Sequence, residues 1–398
     1  MKKFVVVLLA LCLVAGGVLG YSYGAEKRLA PPAAQAAAEE APAAEAPAIQ
    51  PAALDYEALY ALHAPDEVVM TVGGKDVTWA EYFYYLNRQA QSVENYFNTM
   101  AAYGIESSWS DPADEDGTSF ARLTVESADA TALSLCAMDS FAEVNGITLS
   151  EADRADIEEK VQADIAAACG EGATREDFDA YLSSFYMPSS LYDRMNELSV
   201  LYQQGYIQLY GENGEKLSDE ETLAWLEGQD YMAANHILLM TVDPASYESL
   251  DEETVAAKKA LAGEIAAELQ GMDDDGEMMA RFAELKEEYD EDSGKTMFPN
   301  GYLFLPGSMV AEFENAVKAQ EAYQVSDPVE SNYGYHVIVT LPLDPDAIVD
   351  YSSSGAALTA RSTAANAIYA KALDDFTLAQ EIVPVEGFEA PNLLDYLK

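Results

Sequence analysis

Three histidines, His63, His236 and His336, are present among 398 residues, and they are the side chains whose unperturbed ionisation falls nearest neutrality. His236 lies in the apolar run AANHILLMTV and His336 in the β-rich stretch YGYHVIVTLPL. In such surroundings a histidine reads as a satisfied core residue or as an acid–base group, and the residues alone leave both open. Three cysteines, Cys12, Cys136 and Cys169, are too few for a disulfide framework or a thiolate metal cluster. Acidic clusters near Asp116, Asp275 and Asp292 invite a calcium loop of the form DxDxDG. Counting back from Gly117, Gly276 and Gly294 puts Pro112, Gly271 and Tyr289 at the first ligand position, so none is an EF-hand. They read as solvated acidic surface, and Asp292 in YDEDSG as an acidic loop residue. Met309 and Phe313 share one face of a short helix, a spacing that by itself means core.

The elements that hold these side chains can be read from charge, period and caps. Lys and Arg total 21 against 70 Asp and Glu, a formal charge of −49. That balance excludes nucleic acid and anionic membrane surfaces as partners, because both are bound through cationic side chains. With 49% hydrophobic residues and 25 tyrosines a sizeable core can be built, divided among about two or three domains. Lys2 and Lys3 precede the apolar run Phe4 to Gly20, the layout of a secretory signal or of an uncleaved membrane anchor over 1–24. Ser22 and Gly24 are small residues suited to cleavage. Residues 25–54, rich in Ala, Pro and Glu, predict a stiff, partly polyproline II linker. From 55 to 230 helix signals dominate. A short strand and a Gly73-Gly74 turn precede a helix capped by Thr78 and Glu81, and helices are predicted over 119–145, 150–169, 174–186 and 189–210. Ser218 and Glu221 form a further capping box. Outside the cytoplasm Cys136 and Cys169 could pair or stay free.

Residues 233–342 change character: a strand, helices near 251–269 and 278–289, a strand, a short helix and two strands. Three motifs carry a resemblance, AxHILL, GYxF…GxMVxEFExA and SDPVxSxYGYHVI. In order and spacing this stretch resembles the parvulin family of peptidyl-prolyl isomerases. With its secretory start and flanking helices, the whole chain is similar to extracytoplasmic foldases of the PrsA and SurA type. That resemblance implies an α+β fold: a parvulin-type module, a small antiparallel sheet flanked by helices, inserted in a mostly helical chaperone-like domain. It implies that the tail 345–398 packs on the N-terminal region. Ile368, Ala372 and Phe376 share one face there, with Tyr369 and Leu373 beside them.

The implied activity is rotation about X–Pro bonds in unfolded or partly folded polypeptides, outside the cytoplasm, needing no cofactor, metal or nucleophile. Residues are implied position by position. His236 and His336 match the family's paired histidines and Asp292 its Cys or Asp beside the substrate amide. Met309 and Phe313 match the pocket for the prolyl ring, with Leu303 or Phe304 completing its wall. The sequence departs from the family at Lys318, where an apolar residue is usual, and at Tyr323, where a turn glycine is common. Both predict a looser short helix. Tyr333 stands where some members carry a small hydroxyl residue. No Arg or Lys cluster follows the first strand, which argues against a phosphoserine-proline preference. The alternative function is a non-catalytic holdase on a vestigial parvulin scaffold. Clients and oligomeric state are not legible.

Overall fold

The computed structural model describes residues 51–398; the predicted signal or anchor and the linker up to residue 50 lie outside the described residues. The fold is α+β, and the described chain forms two compact units, 51–208 with 370–398, and 209–369.

In the first unit a short helix α1 (Tyr56–Tyr60) precedes the hairpin β1 (Val68–Val72) and β2 (Lys75–Thr78). Helices α2 (Trp79–Ala102), α3 (Phe120–Val144), α4 (Glu151–Cys169), α5 (Arg175–Ser183) and α6 (Ser189–Tyr210) follow, the last reaching just past the unit's boundary. Thr78, Ser150 and Thr174 each close a capping box with an acidic residue three positions on, which is why these helices begin where the sequence predicts. α5 stops at Ser183, three residues short of the expected end, and Tyr186 takes a left-handed φ of 59°. The aromatic run from Tyr82 to Tyr85 is buried, so it serves as core. Packing contacts include residues before Asp55: Leu54 is buried and bridges Leu397, and the Ala52 carbonyl accepts from the Trp109 indole. Cys136 is buried and Cys169 exposed, both as free thiols.

The second unit begins with α7 (Asp219–Gly228) and is built on β3 (Met232–Met240). Helices α8 (Glu252–Gln270) and α9 (Asp275–Tyr289) cross to β4 (Tyr302–Phe304), and α10 (Ala311–Lys318) leads to β5 (Val329–Glu330) and β6 (Gly334–Leu341). The antiparallel sheet runs β4-β3-β6-β5, so β3 and β6 are central and buried on both faces. Strand alternation separates two cores. Ile237, Leu239, Val337 and Val339 meet α8 and α9 through Ile265, Leu269, Phe282 and Leu285. Ala234 and Ile338 meet α10 and β4 through Phe313, Val317 and Phe304. Gly334 enters β6 at a φ of 152°, where any side chain would strike the Leu239 carbonyl of β3.

A hairpin, β7 (Ile348–Tyr351) and β8 (Ala357–Thr359), precedes the last helix α11 (Ala360–Leu378). The buried stripe of α11 runs through Ala365, Tyr369, Leu373 and Thr377, whereas Ile368, Ala372 and Phe376 are half-buried. The expected face was therefore rotated by one position. Beyond it, β9 (Ile382–Pro384) pairs with β1, Phe376 meets Phe141 and Phe388 meets Trp79, all within the first unit.

One boundary matters for the module. Leu226 of α7, Ala233, Leu303 and Ala360 form a single cluster, with Trp225, Leu341 and Val349 against it. Arg361 bonds the Leu217 carbonyl at 2.7 Å and pairs with Asp346 at 3.1 Å. Residues on both sides of 233–342 thus complete its core. A fragment 209–369 should melt cooperatively, and a fragment 233–342 should be less stable by about 2–5 kcal/mol, the cost of uncovering large apolar side chains. Denaturant melts of the two fragments check this.

Candidate active site

Sheet register brings the two histidines together. His236 lies opposite Ile338 and Leu238 opposite His336, so the rings are diagonal neighbours on the face toward α10. Their Nδ1 atoms are 3.0 Å apart and the rings lie nearly parallel, at 19°. His236 Nε2 is 3.0 Å from Asp292 Oδ2, and His336 Nε2 is 2.7 Å from Ser331 Oγ. Tyr302 donates its hydroxyl to the same Asp292 oxygen, while Gly294 N donates to Asp292 Oδ1 at 3.0 Å.

One proton assignment satisfies every contact with both rings neutral. Asp292 is ionised and accepts from Tyr302 and from His236 Nε2–H. His236 Nδ1 then accepts from His336 Nδ1–H, and His336 Nε2 accepts from the Ser331 hydroxyl. Burial alone would raise the Asp292 pKa, but the bonds from His236, Tyr302 and Gly294 outweigh it and hold the carboxyl far below the usual carboxylate range. Burial pushes the Tyr302 hydroxyl up, and the carboxylate beside it pushes the same way. Burial, with His236 alongside, pulls His336 down to about 3.

Asp292 is set by its neighbours in the loop. Asp290, two residues earlier, points the other way and accepts from Leu238 N at 2.9 Å and Asp292 N at 3.2 Å. It therefore ties the loop to β3 and leaves Asp292 to face the histidines. On the far face, buried Lys286 donates to Asn235 at 2.6 Å, its pKa lowered by burial against the pull of Asp290 and Asp292.

The apolar half is closer-packed than the expected pocket. Phe313 is 3% exposed. Its ring stands edge-on to His236 at 5.3 Å, with His336 and Phe304 both at 5.8 Å. Met309 is half-buried beside it. Phe304 belongs to this wall. Leu303 does not: strand alternation turns it to the opposite face, against Leu226 and Ala233. Lys318 does not loosen α10 either, since it pairs with Glu314 at 3.3 Å. Glu314 Oε1 accepts from Gly307 N at 2.6 Å and Met309 N at 3.1 Å, and those bonds hold its pKa low. Tyr323 adopts the left-handed φ of 66° that the turn requires, at a cost of about 1 kcal/mol relative to glycine. One hollow of about 620 Å³ runs along Leu269 to Val329, and another of about 440 Å³ lies between Phe298 and Ile348, with Tyr302 on its wall.

Sequence reading missed Tyr302, Ser331 and Glu314. A polar tip on a strand aromatic, a small hydroxyl residue five positions before His336 and an acid inside an apolar helix face were the available signals.

Residues 236–340 match the rotamase family, described as the PPIC-type PPIASE domain, which bears out the parvulin resemblance for this module. A foldase protein PrsA of Halalkalibacterium halodurans is 38% identical over 128 residues, 32% of each chain. A chaperone SurA of Chromohalobacter salexigens is 48% identical over 59 residues, 14% of this chain and 13% of that protein. The matched stretches thus span at most about a third of these relatives. A crystal structure of PrsA from Bacillus subtilis aligns over 79% of this chain and 93% of that chain, at 17% identity and a TM-score of 0.24.

Two outcomes follow from the geometry. The unfolded chain binds a proton at His336 near pH 6.5 and the folded chain only near 3. Between those values the unfolded state holds more protons, so stability is full above 6.5 and falls as pH drops, by up to about 1.4 kcal/mol per unit. His336→Asn should remove that slope, read as the difference between urea melts of the two proteins from pH 7 to 4. Phe313→Ala should cost about 3–5 kcal/mol of stability because its site is closed, whereas half-buried Met309→Ala should cost less than half of that. Thermal melts separate the two.

Proposed function

We propose that this chain is an exported peptidyl-prolyl cis-trans isomerase that assists the folding of secreted or cell-envelope proteins. Its clients are unfolded or partly folded polypeptides containing proline. The observation that carries this reading is the juxtaposition of the Asp292–His236–His336 network with the apolar wall of Met309, Phe313 and Phe304. An X–Pro bond rotates over about 18–20 kcal/mol because amide resonance is lost at the twisted midpoint. Rotation needs a dry seat for the prolyl ring and a polar frame that favours the twisted amide over the planar one. Each tenfold in rate takes about 1.4 kcal/mol of such preference.

In this reading Asp292 faces the substrate amide, and the two histidines fix its orientation from below. Met309 seats the ring, backed by the close-packed Phe313 and Phe304. Tyr302 and Glu314 hold Asp292 and Met309 in position. The first unit, 51–208 with 370–398, supplies a helical body for holding clients. The N-terminal apolar run delivers the chain outside the cytoplasm as a cleaved signal or an anchor. Among the described residues no helix is long and apolar enough to cross a membrane.

A protease-coupled assay with an Ala-Pro peptide tests the enzyme reading. The full chain should raise the cis-to-trans rate in proportion to its concentration, and Met309→Ala should lower kcat/KM about tenfold. A folded chain with no rate above background would leave the holdase reading in its place.

A further inference from the structure

We propose that Tyr302 is a positioning residue for the isomerase chemistry: its hydroxyl, propped from behind by the loop at Met297 and Phe298 and by the hairpin beyond the module, fixes the Asp292 carboxylate against His236. The proposal rests on the isomerase reading above. Asp292 sits on a loop and its carboxylate turns about two side-chain bonds, so its direction depends on what bonds it. Oδ1 is held by Gly294 of its own turn, and Oδ2 takes both Tyr302 and His236. Tyr302 is thus the donor that comes from a different strand, β4, and ties the loop to the sheet on the side away from β3.

The surroundings are built for that bond. A side chain at Gly294 would collide with the Tyr302 hydroxyl, so the glycine leaves the space that the hydroxyl fills. Phe298 packs on the Tyr302 ring at 5.0 Å, and Tyr351 of β7 packs on Phe298 at 6.0 Å. The Tyr351 hydroxyl donates to the Met297 carbonyl at 2.7 Å. A line of contacts therefore runs from the hairpin at 348–359 to the carboxylate. The charged and titratable groups around Asp292 are His236 on β3, His336 behind it on β6, Tyr302 on β4, Lys286 on α9, and Asp290 and Lys295 in the loop itself. Tyr302→Phe takes one donor from the carboxylate without altering any charge and leaves the histidine pair in place.

The test is Tyr302→Phe in the full chain, with Gly294→Ala as a second variant that pushes a methyl into the same hydroxyl. Peptide isomerisation is followed at neutral pH, and the Asp292 carboxyl carbon is titrated by NMR toward acid. Both variants should lower kcat about tenfold with KM within about twofold and raise the carboxyl midpoint, while melting close to wild type. An unchanged kcat and an unchanged carboxyl midpoint in Tyr302→Phe would overturn the proposal. A wild-type chain without isomerase activity would overturn the reading of function instead, and the carboxyl titration would then decide by itself whether Tyr302 holds Asp292.

Discussion

The register between β3 and β6 sets His236 and His336 diagonally across the sheet, and a slip of one residue would send one ring to the α8 and α9 face. Everything at the site hangs from that alignment. Once the Nδ1 atoms face each other, one ring must accept where the other donates, and the outward nitrogens are committed to Asp292 and Ser331. The network is therefore directional, and its end on the Asp292 side is an anion. Gly334 protects the register, since a side chain there would push β6 away from β3.

The same pairing explains why both histidines can be buried at all. A neutral imidazole needs one donor and one acceptor for its two nitrogens, and each ring here has both. Charging His336 would put a cation in an enclosed apolar site with a second imidazole in contact, which is why its pKa falls. Asp292 behaves in the opposite sense because its three donors stabilise the charged form more than burial destabilises it. Stability and the proposed chemistry draw on one set of bonds.

Much of this was legible in the sequence. Helix starts followed from Thr78, Ser150, Thr174 and Ser218, because a cap is a local device that needs no knowledge of the fold. The paired histidines, Asp292, Met309 and Phe313 came from a resemblance in motif order, and the structure places them around one wall. What failed was long-range. Leu303 and Phe304 differ only in strand parity, which the motif did not resolve. Tyr302 gains its role from a loop ten residues earlier, and no periodicity reports a bond across strands. The packing of Leu226 and Ala360 on this module was not legible either, because they lie on flanking helices whose own patterns do not name their partner.

The proposed function requires a prolyl ring seated on Met309, over Phe313, with its amide beside Asp292. NMR of an Ala-Pro peptide bound to the chain measures this directly, through intermolecular NOEs from the ring protons. NOEs to the Met309 methyl and the Phe313 ring, with shift changes at Asp292 and His236, are the result expected. NOEs only to residues of the hollow between Phe298 and Ile348, with Met309 and Asp292 unmoved, would contradict it.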